Sequence, residues 1–100
     1  MNDRELLELA AKAAGYCVNP NGRTDGAFVV LSNDEGDFIW NPLTDDGDAL
    51  RLGVRVRAFG HADFVRQLGA ARFAQQEQDD TAAYRTAIVR VAAEIGKAMP

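Results

Sequence analysis

The stretch Trp40-Asn41-Pro42-Leu43-Thr44-Asp45-Asp46-Gly47-Asp48-Ala49-Leu50-Arg51-Leu52 turns the chain from strand to helix, and every other element has to be placed around it. Pro42 supplies no amide hydrogen and holds Asn41 extended, so a strand that reaches Trp40 stops there. A helix follows directly. Thr44 or Asp45 offers a side-chain oxygen to the unpaired amides of its first turn, while Asp45, Asp46 and Asp48 set negative charge at the positive end of the helix dipole. Capping chemistry therefore accounts for these acids without a bound ion. A calcium loop of the EF-hand type fails on spacing: counting from Asp45, the third, fifth and twelfth positions are Gly47, Ala49 and Val56, and the bidentate glutamate is absent.

One hundred residues, 47% of them hydrophobic and 26% charged, suit a single globular domain over residues 1–100 with a modest core. No apolar run approaches the length that crosses a bilayer, and the opening Met-Asn-Asp-Arg-Glu is not a secretory leader, so the expectation is a soluble cytoplasmic protein. Cys17 and His61 are each the only residue of their type, which removes an internal disulfide and leaves structural zinc without a second thiolate or a second imidazole. A formal charge of −4 argues against attachment to nucleic acid or to an anionic membrane surface. No cofactor is implied.

Asp3 to Ala14 reads as an amphipathic helix, with Leu6, Leu9, Ala10 and Ala13 on one face and Gly15 suited to the left-handed position after it. Tyr16 to Val18 reads as a short strand, Asn19 to Gly26 as a loop, and Ala27–Leu31 with Asp37–Trp40 as an antiparallel hairpin closed by Ser32–Gly36. The second helix is expected from Asp45 to about Arg57, with a strand from Leu52 onward as the alternative because Leu52, Val54, Val56 and Ala58 alternate with Gly53, Arg55 and Arg57. Gly60 and Gly69 punctuate residues 62–76, which favours two short strands of a second hairpin there, with an extension of the last helix as the alternative. The last helix starts at Asp79, Asp80 and Thr81 and carries the stripe Tyr84, Ala87, Ile88, Val91, Ala92 and Ile95. The expected fold is α+β: three amphipathic helices packed on a small, mostly antiparallel sheet of four or five strands, an alpha/beta sandwich. Its expected core is Leu6, Leu9, Val29, Leu31, Ile39, Leu50, Ile88, Val91 and Ile95.

Three segments carry a family resemblance: Trp40 to Leu52, Ala87-Ile88-Val89-Arg90-Val91-Ala92-Ala93-Glu94-Ile95-Gly96-Lys97-Ala98-Met99, and Glu5-Leu6-Leu7-Glu8-Leu9-Ala10-Ala11-Lys12-Ala13-Ala14-Gly15-Tyr16. They resemble small proteins of tailed phages and prophages, the phage alpha-beta-alpha sandwich domain group and, more loosely, the NinX-like phage proteins. Residues from Asn19 to Asp37 and from Phe59 to Gln78 carry none of it. The resemblance implies a phage gene product acting inside a bacterial host, and it brings no catalytic residues with it.

Candidate functional residues are few. His61, beside Asp63 in a glycine-flanked loop, is the one side chain suited to acid–base work, and Cys17 is a thiol that nothing in the sequence brings near it; a lone cysteine in a strand reads first as a small buried hydrophobe. Arg51, Arg55 and Arg57, with Arg66 and Arg72 beyond them, read as a solvated face or as a basic patch for phosphate or an acidic partner. Trp40 reads as a core residue or, if exposed beside Tyr16 and Phe59, as an interaction anchor. Together Arg51, Arg55, Arg57, Trp40 and His61 mark the candidate interaction surface. The functional expectation is a noncatalytic accessory module that binds a host or phage protein. A small enzyme built around His61 and a weak nucleic-acid binder using Arg51, Arg55 and Arg57 are the alternatives. A homodimer is expected through the small residues Ala83, Val89 and Ala93 of the last helix, or through an exposed edge strand.

Overall fold

The computed structural model describes residues 2–24, 27–31, 38–74 and 80–99. They form α1 (Asp3–Ala14), β1 (Cys17–Thr24), β2 (Ala27–Leu31), β3 (Phe38–Trp40), α2 (Asp46–Val56), a 3-10 turn (Ala58–Gly60), α3 (Phe64–Ala74) and α4 (Asp80–Ala98). The strands make one antiparallel sheet in the order β1-β2-β3, with Val18 opposite Val30 and Phe28 opposite Trp40. The expected sandwich is overturned. Most of the described chain is helical, and α1, α2 and α3 pack on α4 rather than being laid side by side over a broad sheet.

The largest departure is α3. A second hairpin was the expectation over residues 62–76, yet Phe64, Leu68 and Ala71 turn inward at spacings of four and three, the period of a helix. Gly69 lies inside that helix, where a Cβ would meet nothing within 4 Å, so it marks no turn and answers no packing demand. The strand alternative for residues 52–58 also falls, since α2 continues to Val56 and closes at Arg57 in the left-handed region, φ 59°. On the amino-terminal side, β1 runs through to Thr24 across the segment expected to be a loop, with an irregularity between Asn19 and Thr24. The hairpin turn expected over residues 32–36 and the helix start expected at Asp79 lie outside the described residues.

α4 organises the core. Ala87, Ile88, Val91 and Ala92 are buried as the stripe requires, but so are Ala83, Val89 and Ala93, because partners cover this helix on several sides. Those small residues therefore belong to the monomer interior, and the dimer face expected there does not exist. Against α1 the two backbones nearly touch: a Cβ added to Gly96 would fall 2.0 Å from the carbonyl oxygen of Leu9. Such proximity needs small side chains, and α1 turns Leu7, Ala10, Ala11 and Ala14 inward, leaving Leu6, Leu9 and Ala13 half-buried at its margins. Asn2 accepts the Glu5 amide at 2.9 Å to start α1, and Gly15, φ 77°, closes it.

The sheet adds Phe28, Val30 and Trp40 to the same core. Alternation along β3 sends Phe38 and Trp40 to one face and Ile39 to the other, leaving Ile39 63% exposed rather than in the core. The side chains of Val29 and Leu31, also expected in the core, lie outside the described residues. Ile88 and Val91 are buried as expected, and Ile95 packs against the core from its edge. Cys17, expected to be buried, is exposed. Among the described residues no helix is long and apolar enough to cross a membrane.

Candidate functional site

The strand-to-helix turn is held by its own polar side chains. Asp45 caps α2 by accepting the Asp48 amide at 2.7 Å. Asn41 accepts the Leu43 amide at 3.1 Å, which shapes the backbone around Pro42. Asp48 is buried; its Oδ2 accepts the Asn41 amide at 3.0 Å and its Oδ1 accepts Nη2 of Arg51 at 2.7 Å. That hydrogen bond raises the Arg51 guanidinium above its ordinary value. Arg85 reaches across from α4, donating Nε to the Leu43 carbonyl at 2.9 Å and Nη1 to Asp46. Each acid of the turn thus has protein partners, and among the described residues no group of three His, Cys, Asp or Glu side chains assembles as a cation site.

Once this turn fixes α2, the helix shows two apolar faces. Ala49 and Leu52 face inward with Gly53, whose Cβ would fall 2.7 Å from the Phe59 ring. Leu50 and Val54, one turn apart, face out and are 58% and 64% exposed. Leu50 was expected in the core; the inward positions of a helix this short are already filled by Ala49 and Leu52.

Hollows flank the exposed pair. On one side, a hollow of about 510 Å³ is lined by Tyr16, Leu50, Arg51, Val54 and Arg55. It shares Tyr16 and Arg51 with a neighbouring hollow of about 550 Å³ that includes Phe38, Ile39 and Trp40. Tyr16 meets Trp40 and Phe38 edge to face at 5.6 and 6.2 Å, and Arg55 lies over the Tyr16 ring with its Cζ 5.1 Å from the centroid. On the other side, a hollow of about 210 Å³ is walled by Asp46, Ala49, Leu50, Phe59, Tyr84 and Ile88, among others, and its lining is almost wholly apolar.

Of the residues singled out from the sequence, Trp40, Arg51 and Arg55 come together here. Trp40 is 1% exposed, so it forms the floor of the hollow and not a projecting anchor. Arg51 is engaged by Asp48, and Arg55 donates Nε to the Ala14 carbonyl at the end of α1. Arg57 stands at the far end of α2, exposed and with no ion-pair partner among the described residues. Arg66 and Arg72 are on α3, paired with Asp63 and Asp80, so the five arginines do not make one basic patch. His61 sits between the 3-10 turn and α3, where its Nδ1 accepts the Asp63 amide at 3.1 Å. Its ring makes no ion pair among the described residues, and Cys17 is on β1.

Sequence reasoning missed Leu50, Val54 and Tyr84 as surface residues. The signal was present for the first two: Ala49 and Leu52 fill one side of α2, and Leu50 and Val54 form a second row that a one-sided helix does not need. Comparison of the chain with protein-family models, with curated proteins and with solved structures finds no match.

Proposed function

We propose that the chain is a noncatalytic protein-interaction module of phage origin, acting in the cytoplasm of a bacterial host. One observation carries the interaction reading: Leu50 and Val54 are left in water on α2, between hollows walled by aromatic rings and guanidinium groups. Aliphatic surface gains about 25 cal/mol per Å² when a partner covers it, and tyrosine and arginine beside it are the residue types that dominate binding energies. The phage origin rests on the resemblance of the Trp40–Leu52 segment and of the two terminal helices.

The test is affinity capture from a bacterial host lysate, with the native chain and a Val54→Glu variant immobilised side by side and both checked for folding by circular dichroism. A protein held by the native chain and lost with the variant is the expected result. Identical capture by both, or turnover of a substrate that His61→Ala abolishes, overturns the reading.

A further inference from the structure

Asp46, Leu50 and Val54 follow one another at four-residue spacing down the exposed side of α2, and Arg57, exposed and in the left-handed region, caps its end. An acid paired with Arg85 of α4 stands at one end, aliphatic side chains lie in the middle, and a guanidinium with no ion-pair partner among the described residues stands at the other end. Gly47 and Arg51 border the row, the Arg51 guanidinium lying beside Gly47, where a Cβ would stand 3.3 Å from its Nη1. This order of chemistry is complementary to its own reverse.

We propose that this face is covered by a second copy of the chain, the two α2 helices crossing antiparallel about a two-fold axis. The proposal rests on the interaction reading of the face and names a second copy as its resting occupant, which a host protein would have to displace. The register that sets Leu50 over Val54 of the second copy sets Val54 over its Leu50 by symmetry. It also brings Asp46 within one residue, about 1.5 Å of helix rise, of Arg57 in the second copy. Both ends of the row are then matched by opposite charge, and the two helix dipoles oppose one another. Within its own chain the Asp46 carboxylate accepts Nη1 of Arg85 at Oδ1, and its side chain is still 66% exposed to an approaching guanidinium. The apolar hollow of about 210 Å³ beside Leu50, walled by Phe59, Tyr84 and Ile88, is a seat for an aliphatic side chain of the facing helix. A uniformly acidic or uniformly basic partner would leave one end of the row against like charge.

Light scattering and sedimentation of the full chain from low to high micromolar concentration test this. The expected result is a mass rising from one chain to two, with Val54→Glu and Arg57→Glu each weakening association by about tenfold or more while keeping the native circular-dichroism spectrum. Asp46→Lys should weaken it likewise. An equimolar mixture of the Arg57→Glu and Asp46→Lys chains should recover the dimer, because every end contact then pairs opposite charges. A constant single-chain mass overturns the proposal, as does a dimer indifferent to Val54→Glu, which would place the contact elsewhere, such as the β3 edge. A single-chain mass combined with a host protein lost on Val54→Glu overturns self-association alone and leaves the interaction reading standing.

Discussion

Asp48 shows how one side chain ties the strand-to-helix turn together. It is the one buried charged residue among the described residues, and its carboxylate holds the Asn41 amide, where β3 has ended, and the Arg51 guanidinium, one turn into α2. Hydrogen bonds to a charged group contribute about 1.5–3 kcal/mol, and a buried amide left without an acceptor adds to the loss. Asp48→Ala is therefore expected to lower unfolding free energy by about 2–3 kcal/mol in urea titration. Asp48→Asn, which keeps an acceptor for the Asn41 amide and loses the ion pair, should lose less. Equal losses would show that the Arg51 contact carries the whole effect. The acids of this turn were legible as helix-start chemistry because capping depends on neighbours a few residues away. The tie from Asp48 back to Asn41 was not, since nothing in the pattern says which carboxylate turns inward.

Glycine carries opposite meanings in two of the helices. Gly69 in α3 is exposed, with open space where a Cβ would stand, so Gly69→Ala should stabilise the chain by about 0.5–1 kcal/mol through the lower conformational entropy of the unfolded state. Gly96 in α4 is pressed against the Leu9 carbonyl, and Gly96→Ala must push α1 and α4 apart, costing about 1–3 kcal/mol or more. Thermal melts of the two variants should move in opposite directions; a rise for both would show that α1 and α4 are not in backbone contact at Gly96. The same pair explains what the sequence could and could not reveal about the elements. α1, β2, β3, α2 and α4 follow from local periodicity and caps, and their bounds sit close to expectation. α3 does not, because Gly60 before it and Gly69 within it resemble hairpin punctuation, and Phe64, Leu68 and Ala71 make too narrow a stripe to outweigh them. The sandwich failed for a related reason: the alanines of α1 and α4 read as weak apolar positions, yet they are what lets helix pack on helix in place of sheet.

For the molecule as a whole, burial on several sides of α4 and exposure on the outer side of α2 make a paired prediction from one substitution. Val91 is fully buried in the core cluster around α4, while Val54 stands in water on α2. Introducing aspartate at position 91 places a charge among apolar side chains with no partner prepared for it, at a cost of several kcal/mol. A domain of this size has about 5–15 kcal/mol of stability in total, so Val91→Asp should leave little or no folded protein at room temperature. Aspartate at position 54 gives up only helix propensity and exposed aliphatic surface, a loss of about 1 kcal/mol or less for the single chain. At high protein concentration the two effects separate further. A dimer stabilises the folded state by mass action, so the native chain should melt at rising temperature as concentration increases, whereas Val54→Asp should melt at one temperature throughout. Calorimetry over a wide concentration range reads both quantities. A native melting temperature independent of concentration would remove the second copy from α2, and a Val91→Asp chain that melts like the native one would remove α4 from the centre of the core.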